Sequence, residues 1–506
     1  MTGISVATTS ALAADAARET ASNGGNAVDC ALAASLLTMN AEPSVCALAG
    51  GSYISIWKPG SEPVTIDGNV AVPGYGPAAD DHGGVESVTM AYGGGITTLV
   101  GAGTVGVPGS LAAVEAAWKQ YGDARWQDIL APSIRATRDG FPLSSACHYY
   151  LGYSGKVIYG RTEDGYRALY DGDKLREPGS TIVIPHLSDS LSLIAAEGAR
   201  AFYEGDLATA IVRHCHDNGG RLVADDLKRY RAIERPALQT DIDEWRIATN
   251  PPPAVGGVVL SAMLSAFAQQ TITAWDVAAV ARLVDVQRAC LGFRKRHLDL
   301  ADDVGAHGAR MLAEAKNGRL LSRWTSSSTV HTSAVDDTGL ACAITASSGY
   351  GSGEMPSGTG LWLNNCLGEL ELNRRGLDAG PIGSRLPSNM APSVARQGGR
   401  VIAVGSPGAD RITTALHQFL VNLLQLDMPL ADAVAHPRVH VDTSGEEDRL
   451  MAESGLPLPD GELPVSTFPD IGMYFGGVGV ASFDESSGFE VAADPRREGG
   501  TVIVEA

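Results

Sequence analysis

The stretch TSSSTVHTSAVDDTG runs from Thr325 to Gly339 and changes character at Thr329. Thr325, Ser326, Ser327 and Ser328 are all small hydroxyl residues. They have little apolar surface to bury, so they predict a segment without a packed core. From Val330 onward apolar and polar residues alternate, as in a half-buried strand. Asp336-Asp337-Thr338-Gly339 is turn chemistry, and LACAITASS alternates again behind it. The spacing therefore predicts a strand hairpin turning at residues 336–339. Thr329 and His331 stand where the loose hydroxyl run meets the first strand.

Outward from this hairpin, strands and helices are mixed along the chain, which predicts an α/β or α+β class. Residues 9–22 are alanine-rich and helical in pattern, and Asn23-Gly24-Gly25 suits a left-handed stop. Asn26 reads as the N-cap of the next helix, AVDCALAASLLTMN, with Asp29 in its first turn. That helix is apolar nearly all round, so it should be buried. SYISIWK and PVTIDG alternate like strands, and GVVLSAMLSAFAQQ reads as a second buried helix. GRVIAVGSPGADRITTALHQFLVNLLQ reads as strand, glycine-rich turn and long helix.

A chain of 506 residues is long enough for a large core, and its hydrophobic share of 44% is that of a globular protein. The net charge of -20 argues against partners such as nucleic acid or an anionic membrane held by overall charge. No apolar run is long enough to cross a bilayer. The first residues, MTGISVATTSALAADAARETASNGG, do not read as a secretion signal, so a cytoplasmic location is expected. The seven cysteines form no CxxC pair, which predicts buried free thiols.

Two motifs compete for the functional reading. Gly101-Ala102-Gly103-Thr104-Val105-Gly106 matches a dinucleotide fingerprint. Pro108-Gly109 falls where the phosphate-binding helix should be under way, and no second strand ending in an acid follows. A turn leading into a helix near Ser110 is the plainer reading. His214-Cys215-His216 suggests a metal, but no second ligand cluster stands at a familiar spacing, and no metal is expected. GYGSG places its serine fourth, so it is not a nucleophile elbow.

The order of segments decides more than any one of them. GGNAVDCALAA, EPSVCALAGGSYISIW, VGVPGSLAAVEAAWKQYG, NPPPAVGG, STVHTSAVDDTG, GSGEMPSGTGLWLNN, LPSNMAPSV, VGSPGADRITT and ADPRREGG follow one another across nearly the whole chain. In this the sequence resembles the gamma-glutamyltranspeptidase family. The resemblance implies an N-terminal-nucleophile hydrolase with a four-layer αββα sandwich, made as a precursor that cuts itself. The bond would be Ser328–Thr329, giving a large subunit of residues 1–328 and a small subunit of residues 329–506 that stay associated. Thr329 would be the nucleophile. Its freed α-amine, with a pKa near ~8, would take the proton from its own hydroxyl. The resemblance puts oxyanion donors at Gly408 and Ala409, the latter where the family usually has glycine. It puts a hydroxyl supporting the amine at Ser347. It asks for no cofactor.

The same resemblance implies substrate-binding positions at Asn69, Asn365, Cys366, Glu369, Ser388 and Asn389. Here the family pattern breaks. Asn69 stands where an arginine grips the substrate's carboxylate, Ser388-Asn389 replaces a serine pair, and Cys366 replaces an amide or acid near the amine. Glu369 can still accept from an ammonium group. The expected substrate is thus a small molecule with a non-glutamyl acyl group, joined by an amide or a C–C bond. A biosynthetic route, such as one to proline-derived antibiotic building blocks, fits that chemistry. A true glutathione hydrolase is the alternative.

Overall fold

A computed structural model describes residues 2–76, 83–91, 95–317, 329–443, 447–461, 463–497 and 499–505. Ser328 and the hydroxyl run before it lie outside the described residues. The chain opens with β1 (Ile4–Thr8), α1 (Ala11–Ser22) and α2 (Ala27–Ala41). Gly24, between the helices, takes φ +87°, the left-handed stop expected there. The Asn26 side chain accepts from the backbone N–H groups of Val28 and Asp29, and Asp29 accepts from the Asn26 N–H, which closes a capping box. Every residue of α2 is buried.

Next come β2 (Gly51–Trp57), β3 (Val64–Gly68), α3 (Ser110–Tyr121), β4 (Ile233–Pro236), β5 (Leu238–Ile242) and β6 (Trp245–Thr249). They lead to α4 (Gly256–Phe267) and α5 (Val277–His297). The predicted hairpin forms as β7 (Val330–Asp336) and β8 (Ala341–Ser347). The chain ends with β9 (Ser393–Gln397), β10 (Arg400–Gly405), α6 (Arg411–Leu424), β11 (Gly479–Asp484), β12 (Gly488–Ala493) and β13 (Gly500–Val504).

These strands make two antiparallel sheets. One is seven-stranded, in the order β4-β3-β2-β8-β7-β1-β13, and the other six-stranded, in the order β5-β6-β9-β10-β11-β12. They meet through small side chains: Val335, Ala341 and Ala343 from the first pack against Ala248, Val394, Ala403 and Ala481 from the second. Hydroxyls bridge the same seam, Ser5 donating to the Ser482 carbonyl at 3.1 Å and Ser55 to the Pro392 carbonyl at 2.8 Å. These two buried hydroxyls thus find partners across the seam. On the outer faces, Ala13 and Ala17 of α1 and Val28 and Leu32 of α2 share one core with Ile4, Ile54 and Ile344. Leu260 of α4 and Leu416 and Leu420 of α6 pack on Ile402, Val404 and Val480. The result is the four-layer αββα order.

The competing motifs resolve on geometry. The strand before Gly101, Ile96–Val100, pairs antiparallel with Glu86–Met90, and a single 3-10 turn, Ala102–Thr104, follows. A Cβ on Gly101 would lie 2.3 Å from the Gly84 carbonyl oxygen, so this glycine serves a backbone contact and not a phosphate. His214 sits 2.6 Å from Glu354, Cys215 is buried and His216 is exposed beside Asp217, so the three side chains diverge. Among the described residues no group of three or more His, Cys, Asp or Glu is placed to hold a metal, and no helix is long and apolar enough to cross a membrane.

Candidate active site

Thr329 immediately precedes β7 and is almost wholly buried, 3% exposed. Val330 pairs with Ala346 across the hairpin, so the ladder sets Ser347, the last residue of β8, beside Thr329. A cleft opens at this end of the sheet. Thr329, Ser347, Asn69, Cys366, Glu369, Ser388, Asn389 and Ala409 all line it. It holds about 20 Å³, roughly the room of one water molecule. A larger cavity of about 570 Å³ lies elsewhere, along Val212, Arg213, Leu222 and Lys228, without the nucleophile candidate.

His331 does not act as a base here. Its ring is buried between Thr345 Oγ1, 2.9 Å from Nδ1, and Ser333 Oγ, 2.7 Å from Nε2. Ser333 gives its own proton to the Gly479 carbonyl at 3.1 Å, so Nε2 carries hydrogen and Nδ1 accepts. Burial pushes its pKa down to about 3. The ring is a neutral strut joining β7, β8 and β11. Gly405 leaves room for it: a Cβ there would lie 2.2 Å from the ring.

Gly408 and Ala409 lie in the turn between β10 and α6. Gly408 has φ +118°, and a Cβ on it would lie 2.8 Å from Gly476 Cα. Ala409 adopts φ +63°, a left-handed conformation that costs an L-residue about 1–2 kcal/mol. Ser406 Oγ holds the turn, donating to the Pro407 carbonyl and accepting from the Gly477 N–H at 3.0 Å. Neither the Gly408 nor the Ala409 backbone N–H donates to another described residue. Ala409 shares the cleft lining with Thr329, and an uncommitted backbone donor on such a turn suits an anion. Gly408 itself lies behind the cleft wall that Ala409 forms.

The substrate-side positions divide. Asn365 does not line the cleft: its amide nitrogen donates to Thr98 Oγ1 and the Leu99 carbonyl, both at 3.0 Å, and its oxygen accepts from the Tyr350 N–H. These bonds make it a brace of the loop beside the cleft. Asn69 does line the cleft, yet its amide nitrogen donates to the Leu386 carbonyl at 2.8 Å. The arginines behind it, Arg235 and Arg385, are both paired with buried Asp67. Glu369 is buried with Oε1 unpartnered. Burial raises its pKa well above the usual range, and the neighbouring charges of Glu371 and Asp410 add to that.

The sequence reading missed Asp410 and Arg294. Asp410 Oδ1 accepts from Arg294 Nη1 at 2.7 Å and from the Asn389 amide, while Arg294 Nε donates to Asp299 at 2.8 Å. All four side chains are buried. Burial opposes the Arg294 charge, and the two aspartates outweigh it. Asp410 is pushed up to about 6, burial outweighing the Arg294 charge. The available signal was an aspartate following GSPGA, where no charge is needed to make the turn.

A threonine with an adjoining hydroxyl and free backbone donors, at the edge of an αββα sandwich, defines an N-terminal-nucleophile hydrolase fold. The sequence profile described as Gamma-glutamyltranspeptidase matches residues 13–504, and the chain belongs to that family. It is an enzyme, a self-processing hydrolase or acyltransferase of the family. A Glutathione hydrolase proenzyme of Escherichia coli (strain K12) is 26% identical over 88% of this chain and 82% of its own length. The Acylase ACY 1 proenzyme of Pseudomonas sp. (strain SE83) is 30% identical over 86% of this chain and 82% of its own. Among solved structures, cephalosporin acylase from Bacillus halodurans superposes with a TM-score of 0.85 at 21% identity, over 100% of this chain and 96% of its own, a likeness of fold.

Proposed function

We propose that the chain cuts itself between Ser328 and Thr329 and that Thr329 then cleaves a small-molecule amide or C–C bond whose acyl part is not γ-glutamyl. The freed α-amine takes the proton from Thr329 Oγ1, which attacks the acyl carbon. The N–H groups of Gly408 and Ala409 receive the developing oxyanion, a contribution of about 3–4 kcal/mol per donor. The proton passes to the leaving group, and water or an amine then releases the acyl group. The cleft's present volume of about 20 Å³ is far below the ~300 Å³ of an ordinary ligand site, so processing must also open it.

The observation that carries the substrate reading is at Asn69. A buried carboxylate needs a charged or multiply donating partner. The residue at that place is neutral, its amide is anchored on Leu386, and the nearby arginines are held by Asp67. The Pseudomonas acylase at 30% identity supports an acylase-like activity. A biosynthetic role, such as forming proline-derived antibiotic building blocks, is compatible with it. The free buried thiols suit a reducing compartment such as the cytoplasm. Glu369 favours a second reading, a true glutathione hydrolase, because it lines the cleft where an amine would bind. Trapping the acyl-enzyme on Thr329 and weighing the adduct identifies the acyl group. Robust turnover of a γ-glutamyl anilide would refute the first reading in favour of the second.

A further inference from the structure

We infer that the cleft accepts an acyl chain ending in an ammonium and rejects the same chain ending in a carboxylate, with Asp410 as the specificity-determining residue. The inference rests on the Thr329 reading above and extends it from the amine position at Glu369 to a charge on the opposite wall.

The acceptors come first. Glu369 Oε1 and Asp410 Oδ2 are both buried and have no hydrogen-bond partner. Glu369 lines the cleft directly; Asp410 stands one residue behind Ala409 and touches Asn389, which both line it. Buried acid oxygens without partners are costly. An ammonium offers three donors and a positive charge to such oxygens.

The donors come second. A carboxylate entering the cleft meets Asn389, whose amide nitrogen is already bonded to the Asp410 carboxylate. To reach its remaining N–H, the incoming anion must stand beside a like charge. Among the described residues, Arg497 has buried nitrogens without partners, but it packs beside Gly477 and does not line the cleft. The other arginines around this wall are engaged. Arg294 is divided between Asp299 and Asp410, Arg235 and Arg385 serve Asp67, and Arg411 Nε donates to the Tyr474 carbonyl at 2.9 Å. Glu371, held by Tyr350, adds a further acid nearby.

Two matched probes test this: 4-aminobutyryl p-nitroanilide and glutaryl p-nitroanilide, which share a three-methylene acyl chain and end in an ammonium or a carboxylate. The processed wild-type enzyme is expected to favour the aminobutyryl probe at least tenfold in kcat/KM, after subtraction of the enzyme-free rate. Asp410→Asn keeps the shape and removes the charge, and should shrink the ratio several-fold, mainly through KM. If that variant gives no processed enzyme, Asp410→Ser is measured in its place. Equal handling of the two probes by a preparation with a released Thr329 terminus, turnover of neither included, overturns the inference. So does a ratio that neither variant moves. Absence of any fragment beginning at Thr329 would instead sink the reading beneath it.

Discussion

Arg294 Nη1 lies 2.7 Å from Asp410 Oδ1, and the two residues fall on opposite sides of the peptide bond before Thr329. Both side chains are buried, so the pair would stay shielded from solvent after the proposed cleavage of that bond. Purified enzyme should therefore run as two bands on a denaturing gel and as one species by size exclusion. Thr329→Ala should remain a single 52.5 kDa chain without activity. Thr329→Ser should process and turn over more slowly. An uncut yet active wild type would contradict this prediction.

Ala409 sits at φ +63° beside Gly408. Ala409→Gly removes the left-handed penalty but adds chain entropy to the unfolded state, so the net gain is expected to be at most about 1 kcal/mol. The backbone donor is unchanged, so activity should hold. Urea unfolding alongside a turnover assay tests both halves.

Gly256, the first residue of α4, touches the cleft wall from behind. A Cβ there would lie 2.1 Å from the Asn389 carbonyl oxygen, and the Ser388 carbonyl accepts from the Val255 and Gly256 N–H groups at 2.9 Å. Gly256→Ala must displace backbone, so a loss of more than about 2 kcal/mol and a fall in activity are expected. Gly152→Ala, where an added Cβ meets nothing within 4 Å, is the matched control and should be neutral or slightly stabilising.

His331 supplies a pH prediction. Its folded pKa is depressed to about 3 by burial, against 6.5 for the free side chain. Its stabilising share is complete above pH 6.5 and is lost as the pH falls toward 3, because only the unfolded chain takes up the proton. From pH 7 to pH 5 that loss is about 2 kcal/mol. His331→Gln should be less stable at pH 7 but should lose about that much less over the interval. Parallel pH slopes for wild type and variant in urea unfolding would refute the assignment.

Much of this was legible in the residues. The 336–339 turn, the Asn26 cap, the apolar α2 and the strand–turn–helix at 400–424 depend on local chemistry, and they form as read. The gathering of Thr329, Ser347, Glu369 and Ala409 in one cleft followed from the resemblance, since they lie far apart in the chain. Two things escaped. Asn365 looks the same in sequence whether its amide faces a ligand or Thr98, because rotamer and loop path decide it. The Arg294–Asp410 pair joins residues 116 apart, and nothing local to either announces a partner.

β1 lies between β7 and β13, one strand from before Thr329 flanked by two from after it. Neither half can assemble its sheet alone, and halves made separately would each show raw strand edges. The proposed scission would thus come only once the whole polypeptide has folded. Under that proposal the freed amine would act as a completion stamp: a misassembled molecule would never acquire it and would stay inert.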